Sequence, residues 1–190
     1  MTRIAICGGI GSGKSAVTAI LRELGAKVVV ADEVNAALMN EPAYVTAIRN
    51  IFPTVVHNNI INKKELAQII YRDEGKRQAL MDLAHPLIFE RMFAAYPNDD
   101  LVFYEIPLFS KCAVSFDAII YLDADEDVRI HRIVERDGAT EERAKRILSL
   151  QKEEGDCKQR ATFVLSNNGA FADLSKSVKQ LYCYILEHFS

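Results

Sequence analysis

The residues with the plainest chemistry are 8–15, GGIGSGKS, reached after only seven residues, MTRIAIC. They satisfy G-x-x-x-x-G-K-[ST], with Gly8, Gly13, Lys14 and Ser15 in the defining positions. Glycines let consecutive backbone N–H groups curl around phosphate oxygens. Lys14 has the reach for the β- and γ-phosphates, and the Ser15 hydroxyl is a ligand for Mg²⁺. A helix opening near Lys14 adds the positive end of its dipole. The bland alternative is a glycine turn that only passes a strand into a helix. The complete motif in a strand–loop–helix setting favours a bound nucleoside triphosphate.

Two carboxylates and a row of arginines offer further chemistry. Asp32 ends the run AKVVVAD, and open parallel sheets bind ligands beyond the carboxyl ends of their strands. At that edge Asp32 either orients and deprotonates an attacking hydroxyl or caps a helix. Glu105, late in LVFYEIP, is either a Mg²⁺ ligand, directly or through water, or a charge satisfied at a strand end. Arg129, Arg132 and Arg136 stand at i, i+3 and i+7, one face of a helix. Arg143 and Arg146 follow beyond a turn at Asp137 and Gly138. Such cations suit a lid that closes over a triphosphate and neutralises transition-state charge. They equally suit a solvated face paired with Glu135, Glu141 and Glu142. The stretch NKKE at 62–65 imitates the guanine-reading NKxD, but it opens a helical pattern and lacks the Asp, so it is set aside. His85 precedes Pro86 and is expected to end a helix.

These residues need a scaffold, and the hydrophobic pattern supplies one. Near-continuous apolar runs at 3–7, 26–31, 101–106, 118–123 and 162–167 read as parallel strands covered on both faces. Helical patterns follow the first two strands and recur at about 125–136, 140–154 and 171–188. That alternation predicts an α/β fold, a doubly wound parallel sheet of five strands. From about 33 to 97 the pattern is helical, without a strand, punctuated by Pro42, Pro53, Pro86 and Pro97.

The bulk numbers bound the rest. At 190 residues and 49% hydrophobic, the chain is long enough for one sizeable core with a small appended lobe. It carries 23 Lys and Arg against 26 Asp and Glu, a formal charge of −3 and a pI near 5.8. That balance argues against a protein that coats nucleic acid. Cys7, Cys112, Cys157 and Cys183 form no CxxC and no ligand spacing with His. Neither a disulfide framework nor a zinc site is expected, and a reducing cytoplasm fits. No apolar run approaches a membrane span, and RIAIC is too short for a signal segment.

Taken in order along the chain, these stretches resemble one family closely, dephospho-CoA kinase, which performs the last step of coenzyme A synthesis. The resemblance rests on GGIGSGKS, VVVAD ending in Asp32, AHPLI at 84–88, EIPLF at 105–109, RIVERDGATEE at 132–142 with Gln151, and NNG at 167–169. It spans nearly the whole chain. It implies a three-layer P-loop kinase fold in a single domain over 1–190, with a helical lobe at about 33–97 for the CoA-like substrate and a lid at about 129–152. It implies Mg²⁺-dependent transfer of the ATP γ-phosphate to the ribose 3′-hydroxyl of dephospho-CoA. Carried over by position, Gly11, Ser12, Gly13, Lys14, Ser15 and Ala16 bind ATP, Asp32 activates the acceptor, and Arg132 and Arg136 are lid arginines. Residues 167–169, with Asn167 and Gly169, belong near the adenine, and Lys63 and His85 belong to the substrate lobe. No nucleic acid, membrane or obligate protein partner is expected. The chain departs from the family pattern at Val30, Thr162 and Ser166, where acids are usual, and at Glu105, which replaces Asp. Lys111 replaces a later glutamate, and Lys63 stands for an arginine, keeping the charge without the bidentate fork.

Overall fold

The computed structural model of the chain describes residues 1–106, 114–149 and 154–189. Lys111, Cys112, Gln151, part of the EIPLF stretch and the far end of the expected lid lie outside these. In chain order the elements are β1 (Thr2–Gly8), α1 (Lys14–Glu23), β2 (Lys27–Val30), α2 (Ala31–Leu38), α3 (Pro42–Ile51), a 3₁₀ turn (Pro53–Val55), β3 (Val56–His57) and β4 (Ile60–Ile61). There follow α4 (Lys63–Arg72), α5 (Glu74–Ala94), β5 (Leu101–Glu105), β6 (Ala118–Asp123), α6 (Glu126–Asp137), α7 (Glu141–Ser149), α8 (Glu154–Gln159), β7 (Phe163–Ser166) and α9 (Phe171–His188). They divide into two compact units, Met1–Val29 with Tyr96–Ser190, and Val30–Ala95.

The first unit is built on a five-stranded sheet in the order β2-β5-β1-β6-β7. β1 runs parallel to both β5 and β6, and β6 runs parallel to β7. Each expected strand run overlies one of these strands. Central β1 buries Ile4, Ala5 and Ile6 completely, which is why its sequence is apolar throughout rather than alternating. On one face, Ala5 and Cys7 pack with Ile119, Tyr121 and Cys157 of α8; alternation turns Ile4 and Ile6 to the other face. Strand order reverses at β1: the chain leaves it towards β2 on one side and crosses from β5 to β6 on the other. Such a switch point opens a crevice at the carboxyl ends of the strands, and residues 9–13 follow directly from β1.

The second unit packs α2 to α5 around Leu38, Tyr44, Val45, Ile48, Phe52, Val55, Ile61, Leu66 and Ala84. Three sequence expectations are corrected here and in the sheet. The 33–97 region does contain strands: β3 and β4 pair antiparallel, Val56 opposite Ile61 and His57 opposite Ile60. Asn58 and Asn59 turn the hairpin with φ of 50° and 62°, the left-handed values a two-residue primed turn needs and asparagine tolerates. His85 does not end a helix; α5 continues through Pro86 to Ala94. Proline removes one donor from the helix ladder, and packing of α5 in the unit's core overrides that local preference. Cys7 and Cys157 are joined as a disulfide across a separation of 150 residues, contrary to the reading from local spacing. Among the described residues no helix is long and apolar enough to cross a membrane.

Candidate active site

The phosphate loop is shaped by its glycines. Gly13 precedes α1 in the left-handed region, φ 103° and ψ 22°, and its carbonyl accepts from the N–H groups of Ala16 and Val17 at 3.0 and 3.2 Å. Ser12 N–H donates to Gly9 O at 3.1 Å, which folds the loop back on itself. First-turn N–H groups of a helix lack intrahelical acceptors, so the start of α1 favours an anion. Lys14 curls back over the loop, its Nζ donating to the carbonyls of Gly8 at 2.7 Å and Gly9 at 3.2 Å. Ser15 is exposed on the first turn of α1.

Behind the loop stands α6. Arg129 Nε donates to Ile10 O at 2.8 Å. Arg132 donates through Nη1 to Gly11 O at 3.2 Å and Ser12 O at 3.4 Å, and through Nη2 to the backbone and side-chain oxygens of Asn167 at 2.9 and 3.3 Å. These two arginines therefore hold loop carbonyls and are not a solvated stripe. One turn on, exposed Arg136 pairs with Asp137 at 2.7 Å. That hydrogen bond holds the Asp137 carboxyl below, and the guanidinium above, their ordinary values. Beyond Gly138, whose left-handed φ of 60° ends α6, Lys145 pairs with Glu141 at 2.6 Å on the surface. The charge face divides accordingly, loop-bound at its start and solvent-facing further along.

Asn167 is 5% exposed just past β7 and donates through Nδ2 to Ser12 O at 2.7 Å. Its neighbour Asn168 accepts from the N–H of Asp125 at 2.8 Å, tying the same turn to the start of α6. Gly169 lies in that turn ahead of α9, exposed. Sequence reading missed the link from Asn167 to Ser12 and the part played by Arg129. The available signal was a paired asparagine at the carboxyl end of a strand.

Glu105 is buried, 7% exposed, at the end of β5 and opposite Ile6 in register. It and Ser15 are hard oxygen donors in the sheet unit. Among the described residues no group of three or more His, Cys, Asp or Glu side chains gathers to hold a metal. Mg²⁺ ordinarily takes only one or two protein oxygens beside phosphates and water. The donor set therefore fits an ion that arrives with a triphosphate.

Asp32, Lys63 and His85 belong to the helical unit. Asp32 is exposed in the first turn of α2, whose cap position is Val30, so the cap reading is set aside. A carboxylate there is favoured by the helix dipole. Lys63 opens α4, capped by Asn62, whose side chain accepts from Lys64 and Glu65 N–H groups; the NKKE stretch is thus a helix start. On α5, His85 and Phe89 lie 6.2 Å apart, and Phe89 and Phe93 lie 6.3 Å apart, a row of rings four residues apart.

Counting this sheet's strands in chain order, the arrangement is 2-3-1-4-5. With a phosphate loop on the central strand and an arginine helix clamped to it, the fold and site define a P-loop kinase. A family model described as dephospho-CoA kinase matches residues 2–173, and the chain belongs to that family. It is accordingly a kinase of the final step of coenzyme A biosynthesis, with ATP as co-substrate. It is 32% identical over 176 residues to the dephospho-CoA kinase of Geobacillus kaustophilus, covering 87% of this chain and 88% of that one. A crystal structure from Thermus thermophilus superposes with TM-score 0.82 at 28% identity over 97% of both chains. The dephospho-CoA kinase of Campylobacter jejuni superposes with TM-score 0.68 at 23% identity, again over 97% of both, which speaks for the fold.

Proposed function

We propose that this kinase transfers the γ-phosphoryl group of Mg²⁺-bound ATP to the ribose 3′-hydroxyl of dephospho-CoA. The new bond joins the 3′-oxygen to phosphorus; the bond from the β,γ-bridging oxygen breaks, and ADP leaves. The observation that carries this reading is the phosphate loop itself, with Lys14 folded over it and Arg132 behind it, in a chain of this family. Gly8, Gly11, Ser12, Gly13, Lys14, Ser15 and Ala16 would grip the triphosphate, and Lys14 would stay with the migrating charge. The Asp32 carboxylate would orient the acceptor hydroxyl and take its proton. Arg136 would exchange its surface partner Asp137 for phosphate oxygens when nucleotide is bound, while Arg132 adds its charge from the loop's reverse side. Ser15, and Glu105 directly or through water, would hold Mg²⁺, which neutralises the β- and γ-phosphates and the developing charge. Gly169 and Asn167 are read as belonging to the nucleotide side, Lys63 and His85 to the acceptor side. The enzyme is read as cytoplasmic, working on small molecules without nucleic acid, membrane or obligate protein partner.

The test is an acceptor comparison. Purified protein with labelled ATP and Mg²⁺ is offered dephospho-CoA, AMP, UMP and uridine in parallel. Label is expected in coenzyme A alone. Phosphorylation of a nucleoside or nucleotide, with dephospho-CoA untouched, would overturn the proposal.

A further inference from the structure

Asn167 is held at both ends of its side-chain amide, and in one sense only. Its Nδ2 donates to Ser12 O at 2.7 Å, a buried bond between residues 155 apart in the chain. Its Oδ1 and its backbone oxygen both accept from Arg132 Nη2. Turning the amide over would set its oxygen against a carbonyl and its NH₂ against a guanidinium, so the partners fix its orientation. Its own N–H donates to Asp123 O at 2.8 Å, anchoring the residue to the end of β6. A Cβ built on Gly13 would collide with Nδ2, so the amide fills the space that the glycine leaves open.

We propose that Asn167 is a positioning residue for phosphoryl transfer, aiming the Gly13 N–H at the triphosphate through the peptide it shares with Ser12. The C=O of Ser12 and the N–H of Gly13 belong to one planar trans peptide and point in opposite directions. Holding the carbonyl towards Asn167 and Arg132 therefore turns the N–H to the loop's other side. Without Asn167 that carbonyl keeps only the longer contact with Arg132 at 3.4 Å, and the peptide turns more readily, because its rotation runs through φ of Gly13, where glycine tolerates the change. Asn167 thus acts on the phosphates and not on the base. The inference rests on the kinase reading only for its catalytic consequence; its effect on binding is measured without an acceptor.

Asn167→Ala and Asn167→Asp are made in the full chain. The aspartate is close in shape and still accepts from Arg132, but as a carboxylate it has no donor for Ser12 O. Calorimetry measures binding of ATP and of inorganic tripolyphosphate, both with Mg²⁺, and of dephospho-CoA. Both variants are expected to lose affinity for ATP and for tripolyphosphate by one common factor of about tenfold, the scale of one buried hydrogen bond. Dephospho-CoA affinity is expected to stay at the wild-type value. Loss for ATP with tripolyphosphate unaffected would make Asn167 a base contact and overturn the proposal. Equal loss for all three ligands would reduce it to general structural support and also overturn it, as would no loss at all. Should the alanine variant fail to fold, the aspartate variant carries the same comparison. Absence of kinase turnover in the wild type would sink the functional reading while leaving this binding comparison intact.

Discussion

Position 13 admits no side chain. A methyl there collides with the amide of Asn167 and must also hold a φ of 103°. Gly13→Ala is expected to lose about 1–3 kcal/mol from the backbone strain alone and to weaken ATP binding as the loop shifts. Thermal unfolding and calorimetry on the same sample separate the two effects. Asp32 makes a different demand, since it is exposed in the first turn of α2 and substitution costs the fold little. Asp32→Asn is expected to leave ATP affinity unchanged while kcat falls by about 10²-fold or more, the scale of general-base loss. Turnover within a few-fold of wild type would leave Asp32 only its interaction with the helix dipole. The place of Lys14 and Ser15 at the start of α1 was legible from spacing alone, because a backbone cradle has a fixed length. Asn167 could not be read as a support for Ser12, because its partner lies 155 residues away and only the sheet order brings them together.

Among the elements, α6 shows how far periodicity carries. The i, i+3, i+7 spacing identified the arginine face, but the division between loop-bound Arg129 and Arg132 and surface-paired Arg136 depends on where the helix meets the loop. The hairpin of β3 and β4 escaped notice because two strands of two residues leave no alternation to count, although the paired asparagines between them were a turn signal. α3 carries a separate liability into the helical unit's core. The Tyr44 hydroxyl is buried with no hydrogen-bond partner among the described residues, and an unsatisfied buried donor costs about 1–3 kcal/mol. Tyr44→Phe is therefore expected to stabilise the protein by about 1 kcal/mol, read from the urea midpoint. Burial also raises the pKa of Tyr44. The folded state then favours the neutral phenol, so its contribution is complete below the ordinary tyrosine value of about 10 and is lost as pH rises beyond it. The Phe variant should show a shallower loss of stability between about pH 9 and pH 11 than the wild type.

For the molecule as a whole, the parallel sheet was legible because buried central strands must be apolar on both faces, as Ile4, Ala5 and Ile6 are. The disulfide was not legible, because Cys7 and Cys157 become neighbours only when α8 packs on β1. Linking them restricts the unfolded chain, an effect of about 2–4 kcal/mol for typical native bridges. Reductant is expected to lower the melting temperature of the wild type and to leave Cys157→Ser unmoved; equal melting curves with and without reductant would show that the bond adds nothing. The same bond changes what the polypeptide is as a covalent object. Everything between Cys7 and Cys157, including the phosphate loop, the whole Val30–Ala95 unit, α6 and α7, is a closed ring, with a short tail before Cys7 and a longer one after Cys157 that carries β7 and α9. A protease that cuts the ring once opens it without releasing a fragment. Nicked protein should run as one band on a non-reducing gel and as two after reduction, a readout of the linkage that needs no substrate.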